Sequence, residues 1–530
     1  MAGDRGITAS QRPVWRDRLV IGLAYSLAWG ALLVNRGLYW DDWTLVGRSS
    51  GDLVHGFTEL GLPLGGFFYA LLFSTPLPGL IGHVLVFCTY LAAALALHAI
   101  LSRLPGLSRM DALIAALTFA VLPVNYARVA VIDAMYGLSL LAFLVATWLL
   151  IRFVEDGGVA RRVGALLLYV LSFYTASLLV LYLVPIAIAA AYLRQSSSPS
   201  LRTFALRYAD FLVLPVAYWL VKTAFLKPTG VYEGYNALSL AALAQVPRSM
   251  LSIPGQVLVE PLARAAAVAG IVGVIAGIGV AIWLLRRMRV VDEGPFVSAP
   301  VLALIGVVLI ALGVFAYLAV GLVPTIWDWS SRHQLLVPLG AGLLAAAAAR
   351  GIHRLGPPGR AGGIVVVGLL LGISVVADAR TLIAYQVDWF KQQALIEAVR
   401  ATPELQAARH IRIIDSATAY NALRRKYRFY EFNALFSEAT GNTRRLASGK
   451  NEPSLDNIQL FISRPAYHMS EYTPSPVDLE LRISTGEPPR ALEVLRLVIL
   501  EATGSPTFDA EVSRLIEVRA IPIAGVPSAP

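Results

Sequence analysis

Charge is the scarcest resource in this 530-residue chain: Asp, Glu, Lys and Arg make up 15% of it, against 57% hydrophobic residues. With a mean hydropathy of +0.65, that balance excludes an ordinary soluble protein and points to a polytopic membrane protein. A single cysteine, Cys88, excludes an intrachain disulfide and a thiolate metal centre, and its place inside an apolar run makes it core. No glycine-rich phosphate loop or Cys/His cluster is present, so neither a nucleotide site nor a structural zinc is expected. Residues 19–34 lack a small-residue cleavage site and continue into aromatic and acidic sequence, so they read as a span rather than a cleaved leader.

What the chain does have is apolar stretches. Eleven approach the roughly 20 residues needed to cross a bilayer, at about 19–34, 78–101, 111–124, 135–153, 163–176, 178–193, 210–226, 265–285, 299–320, 335–349 and 362–378. The fifth and sixth come from one long run, divided at the polar break Tyr174-Thr175-Ala176-Ser177. Basic residues alternate across the connecting segments. One set of loops holds 18 arginines, including Arg5, Arg12, Arg103, Arg109, Arg194, Arg289, Arg354 and Arg360; the other holds seven cations, among them Arg36, Arg128, Lys227 and Arg332. The richer set is expected to be cytoplasmic, with the N-terminus inside. The formal charge of +10 then reflects contact with anionic headgroups, not nucleic acid.

Beyond Asp378 no further stretch is long enough to span, and residues 379–530 read as a soluble extracytoplasmic α/β domain. "HIRIID", "IQLFIS", "LELRIS" and "RLIEVRAI" have strand character, while "TLIAYQVDWFKQQALIEAVRA" and "PPRALEVLRLVILEA" have helical spacing. The division is thus a transmembrane domain over 1–378 and an outer domain over 379–530.

Against this background "YWDDW" is unusual: Asp41 and Asp42 lie between Trp40 and Trp43 just outside the first span. Neighbouring side chains diverge by about 100° on a helix and about 180° on a strand, so the two carboxylates serve different tasks. A carboxylate held among aromatic rings gains basicity, which suits a general base acting on a hydroxyl. The plainer alternative is a solvated acidic pair between interfacial tryptophan anchors.

"RGLYWDDW" directly after a first span resembles the first outer loop of the GT-C glycosyltransferase superfamily. "LGLPLGGFFYALLF" resembles the Pro-containing end of that loop, "VLPVNYARVAVIDAMYGLSLLAFLVATWLL" the hairpin of the third and fourth spans, and "WDWSSRHQLLVPLGAGLLAA" the Arg-bearing segment before a Pro-containing span. The resemblance covers about residues 1–380. It implies a multi-pass glycosyltransferase that takes a sugar from a polyprenyl-phosphate donor at the outer membrane face, inverting the anomeric centre. Asp41 falls on the family's base position, Asp42 on the second acidic position, and Arg332 and His333 on the Arg-aromatic/His pair. Where many members carry Lys-Glu near the fifth and sixth spans, this chain has "FYTASLL".

A guanidinium at the mouth of a helix bundle can grip phosphate oxygens in bidentate fashion, which suits Arg332 to a lipid phosphate; the alternative is an Arg that snorkels to headgroups. Lys222, one turn inside the outer end of the seventh span, is a second candidate with the same alternative. Arg128 is either a substrate contact or an ion-pair partner of Asp133. His83 and His98 lie too far apart on one helix to share a metal and read as core. The outer loop 227–264 is long enough to act as a lid or to lie on the surface. "RRKYRFYEFN" in the tail offers Tyr427, Tyr430 and Phe432 either to a glycan or to a packed edge. A divalent ion bridging carboxylate and phosphate is compatible with such chemistry, but the sequence assembles no ligand set for it. Besides membrane lipid, the expected partners are the lipid-linked donor and a glycan, lipid or protein acceptor. A lipid or polysaccharide transporter (a flippase) and a non-catalytic cell-envelope assembly protein are the competing readings, although no inverted repeat is evident.

Overall fold

The computed structural model describes residues 15–196, 201–287, 297–353, 356–449, 452–453, 458–486 and 489–523. Of the arginines in the basic-rich set of loops, Arg5, Arg12, Arg289 and Arg354 lie outside the described residues, as do the side chains of Arg194 and Arg360.

A helix lies on each of the eleven apolar stretches. The chain opens with α1 (Trp15–Trp29), which tightens into a 3-10 turn over Gly30–Val34, then lays two short helices in the first loop, α2 (Ser50–Glu59) and α3 (Pro63–Phe73). There follow α4 (Pro78–Leu101), α5 (Arg109–Val121), α6 (Ala134–Asp156), α7 (Val159–Ser172), α8 (Ser177–Leu181), α9 (Leu183–Ser196), α10 (Leu201–Arg207) and α11 (Ala209–Phe225). The long 227–264 loop carries α12 (Leu240–Pro254), and the bundle closes with α13 (Glu260–Arg287), α14 (Ala299–Leu318), α15 (Val337–His353) and α16 (Gly356–Ala401).

Among the described residues, six helical stretches are long and apolar enough to cross a membrane. They become seven if the segment Asp328–Gln334 and the helix following it, bent by 62°, form one broken span. The remaining stretches are shorter for local reasons. The break expected at residues 174–177 is a turn over Phe173–Ala176, and α11 carries Pro215 in its interior, where a prolyl ring removes a helical hydrogen bond. Local chemistry also sets helix starts: Ser108 caps α5, its hydroxyl accepting from Asp111 N–H at 3.1 Å while its own N–H donates to the Asp111 carboxylate at 2.6 Å. Small residues bring α13 and α16 together, since a Cβ on Gly372 would collide with the Gly277 backbone. Within a bilayer such close approach replaces the hydrophobic driving force between helices.

The helix α16 is 46 residues long and passes through position 378 without interruption, so the change of composition read there falls inside a helix. Its second half becomes the spine of the C-terminal domain. That domain contains a four-stranded sheet of order β2-β1-β3-β4: β1 (His410–Asp415), β2 (Leu446–Ser448), β3 (Leu479–Thr485) and β4 (Ile516–Pro522). β1 runs parallel to β2 and β3, and β4 is antiparallel to β3. Around it lie α17 (Pro403–Ala407), α18 (Phe429–Thr440), α19 (Ile458–Ile462), α20 (Ala491–Ala502) and α21 (Phe508–Val512). One sequence expectation is corrected: "IQLFIS" is helical as α19, whereas the sheet takes its edge from Leu446–Ser448. Three residues carry too little alternation to register as a strand.

Candidate functional site

The chain leaves α1 and turns sharply over Trp40–Thr44, a 3-10 segment. Trp40 sits at φ +50, a left-handed conformation that costs a bulky L-residue about 1–3 kcal/mol and persists only where surroundings enforce it. Those surroundings come from three distant elements. Trp40 N–H donates to Glu431 at 3.2 Å and its indole donates to Asp328 at 2.6 Å, while its ring packs 5.2 Å from Trp329 and 5.9 Å from Tyr385. Asp328 is itself at φ +50, so both partners of the Trp40–Asp328 bond hold strained backbone.

This turn divides the acidic pair. Asp42 is buried, and its carboxylate accepts from the backbone N–H groups of Tyr39 (2.9 Å), Val131 (3.0 Å) and Ile132 (2.7 Å). Burial pushes it up to about 7, against the three backbone donors and with a further push from Asp41. Asp42 therefore pins the first loop to the turn before α6. Its partners are main-chain amides, not a basic side chain.

Asp41 is only half-buried. One oxygen accepts from the Tyr430 hydroxyl at 2.6 Å; no hydrogen bond to the other is formed among the described residues. Burial, with the Asp41 carboxylate adding to it, pushes the Tyr430 phenol well above its ordinary value, so Tyr430 remains a donor.

Arg332, on the 3-10 segment Asp328–Gln334, lies in electrostatic reach of Asp133, Tyr136, Tyr235 and Asp41. Its guanidinium sits 4.4 Å from the Trp329 ring centre, and its Nε donates to His333 Nε2 at 3.3 Å. Among the described residues no carboxylate stands within ion-pair distance of it. His333 is buried with its ring 4.9 Å from that of Tyr317, a place from which it orients Arg332.

The other candidates do not join this group. Arg128 is not paired with Asp133: it is buried, with its guanidinium over Trp29 (3.1 Å) and Tyr90 (4.9 Å), and the charge near Asp133 is Arg332. Lys222 is half-buried on α11, with no hydrogen bond or ion pair to Asp41 or Arg332 among the described residues. His83 is packed, its two ring nitrogens 2.8 Å and 2.7 Å from the carbonyls of Asn35 and Val129.

The C-terminal domain supplies what the sequence reading missed. Arg425 is fully buried and forks onto Asp388 of α16 through Nε (3.1 Å) and Nη2 (2.9 Å), with Nη1 on Glu431. Glu431 in turn receives the Trp40 amide, so α16, the tail and the first loop are tied through one guanidinium. Arg428 reaches Asp328 at 3.7 Å, and the His468 ring bonds the Trp43 carbonyl at 2.8 Å. "RRKYRFYEFN" signalled this region by its mix of cations and rings. Asp388, Asp328 and Glu431 gave no signal, because isolated acids carry meaning only through their partners. The long 227–264 loop also closes on the first one: Thr229 N–H donates to the Glu59 carbonyl at 2.7 Å, and Arg464 bonds Glu59 (3.1 Å) under the Tyr232 ring (5.5 Å).

No family model matches the chain, and no curated protein matches it.

Proposed function

We propose that this chain is an inverting membrane glycosyltransferase of the GT-C kind, with eleven crossings, a cytoplasmic N-terminus and an outward C-terminal domain, drawing sugar from a polyprenyl-phosphate donor. The observation that carries this reading is the juxtaposition of Asp41 and Arg332. They lie 291 positions apart in the chain, yet a half-exposed carboxylate with one oxygen unbonded and a cation with no ion-pair partner, both among the described residues, stand in electrostatic reach of each other. Ionisable groups left unpaired at the mouth of an apolar bundle are costly, and function is the usual reason for keeping them.

In the reaction an acceptor hydroxyl attacks the anomeric carbon. The new glycosidic C–O bond forms as the bond from that carbon to the phosphate oxygen breaks, and the hydroxyl proton passes to the free oxygen of Asp41. Arg332 receives the polyprenyl phosphate with the bonding electron pair, its fork matched to two phosphate oxygens. Tyr430 fixes the Asp41 carboxylate so that its open oxygen faces the acceptor. Asp42 has no part in the chemistry, because both of its oxygens are spent on the backbone.

The test is transfer of labelled sugar by the protein in liposomes, offered a panel of polyprenyl-phosphate pentoses and hexoses. Asp41→Asn is expected to lower the rate by about 100- to 10,000-fold, the contribution typical of a positioned base. Arg332→Ala is expected to lower it by about 100- to 1,000-fold, the loss typical for one electrostatic donor at a leaving group. Unchanged transfer by Asp41→Asn sinks the assignment, and movement of intact donor across the bilayer without transfer favours a flippase.

A further inference from the structure

A cavity of about 250 Å³ lies between the first outer loop and the C-terminal domain, beside the proposed site and separate from it. Its polar wall comes from both sides: Arg48 and Asp52 from the loop and the start of α2, and Ser437, Glu438, Thr443 and His468 from the tail. Several of these groups have capacity left. The Arg48 Nε is buried without a partner, although Nη2 donates to the Asp52 carbonyl at 2.6 Å. Among the described residues one Asp52 oxygen takes the Ser49 hydroxyl at 2.7 Å and the other takes no hydrogen bond, and the side chains of Ser437 and Glu438 take none. Burial holds His468 below its ordinary value and hence neutral.

The lining selects a chemical class. Two carboxylates against one guanidinium disfavour an anion such as phosphate. The apolar lining is one valine, one alanine and one proline, too little for a lipid tail. No three His, Cys, Asp or Glu side chains among the described residues are placed to hold a metal ion. A neutral ligand dense in hydroxyls satisfies such a mixture of donors and acceptors, since each hydroxyl both gives and takes.

We propose that this cavity holds one ring of a glycan acceptor, a ring other than the one being glycosylated. The proposal rests on the transferase reading and narrows the acceptor to an oligosaccharide chain. Contacts lead from the cavity to Asp41. His468 lines the cavity and is anchored to the Trp43 carbonyl; the neighbouring Tyr467 ring lies 6.1 Å from that of Tyr430; and Tyr430 holds Asp41. The Tyr467 and Tyr430 rings, packed on Phe429, thus link the polar cavity to the base, and the intervening sugar would pass along them. Arg48 also stands in electrostatic reach of Tyr467 and of Tyr232, on the 227–264 loop.

The experiment is binding of short gluco-, manno-, galacto- and arabino-oligosaccharides to the full chain in nanodiscs, followed by saturation-transfer NMR and titration. Wild type and Asp41→Asn are expected to bind at least one series. Ser437→Trp, which fills the cavity, and Glu438→Gln, at an exposed position where folding is safe, are each expected to weaken that binding about tenfold or more, which is about 1.4 kcal/mol. Absence of binding by every series, wild-type affinity in both variants, or binding of a serine-rich peptide in place of the sugars overturns the proposal. Asp41→Asn with full transfer activity overturns the transferase reading alone and leaves the binding result standing.

Discussion

The two ends of α1 treat charge in opposite ways. At its first turn Asp17 is fully buried and paired with Arg109 and Arg287, with His98 at 3.8 Å; beside it Asp111 pairs with Arg350, and Arg162 with Asp210 at 2.7 Å. Just beyond its other end, Asp41, Asp133 and Arg332 form no ion pair among the described residues, and the backbone at Trp40 and Asp328 is strained. Paired charges staple one end of the bundle; beyond the other, Arg425, Arg428 and Arg464 hold Asp388, Glu431, Asp328 and Glu59, and Asp41, Asp133 and Arg332 stand outside those pairs among the described residues. On the proposed reading, this difference is why a ligand would be taken at Asp41 and Arg332: a carboxylate already gripped by two guanidiniums has no capacity to offer.

The largest effect expected from this contrast is kinetic at one end and absent at the other. Asp41→Asn should cost the loss of transfer given above with the thermal midpoint unchanged. Asp17→Asn should leave turnover per folded molecule unchanged and lower stability by about 1–3 kcal/mol, less than for a wholly buried pair because Arg109 and Arg287 are 32% and 21% exposed and can turn toward water. Thermal unfolding in one detergent, read beside transfer, separates the two; a loss of transfer in Asp17→Asn at equal folded fraction breaks the comparison.

Asp42 gives the next largest effect. Its folded-state value of about 7 stands above its ordinary 3.8, so the stability it contributes is complete below the ordinary value and is lost as pH rises through about 7. The wild-type thermal midpoint is therefore expected to fall between about pH 4 and about pH 7 and to level off above, and Asp42→Asn to flatten that slope. The amide also presents an NH2 group to backbone donors, leaving at least one of them orphaned, and should lower stability by about 1–3 kcal/mol. An unchanged slope in the variant would show that another group titrates.

The smallest effect belongs to Tyr430→Phe. Losing one hydrogen bond to Asp41 should slow transfer by up to about tenfold and do so through turnover more than through donor KM. In an Asp41→Asn background the same change should have no effect, since the two act as a unit. Additive losses in the double variant would place Tyr430 outside the site.

The elements that were legible in the sequence are those whose signal is local. Apolar length marked each of the eleven helical stretches, and alternation marked β1, β3 and β4, because a helix or strand face is written in consecutive residues. The turn at Tyr174-Thr175-Ala176 and the helix over 381–401 were legible on the same ground. β2 and α19 were not: one is too short to carry a period, and the other has a strand-like composition overruled by the packing of Ile458 against Phe429, Leu446, Met469 and Tyr472. Arg128 and Asp133 looked like partners because they are close in sequence, yet Arg128 turned inward to Trp29 and Tyr90.

By composition and period alone, this chain was bound to be a helical membrane protein with a polar α/β tail, and "YWDDW" had to stand at the end of its first span. Only the folded molecule decided that Asp42 is tied to backbone amides while Asp41 stays open, that Arg332 rather than Lys222 or Arg128 stands near it, and that a tyrosine from the tail holds it. Hydropathy acts on each segment against its solvent, whereas the fate of a carboxylate depends on which donors reach it across hundreds of residues, and no local pattern encodes that choice.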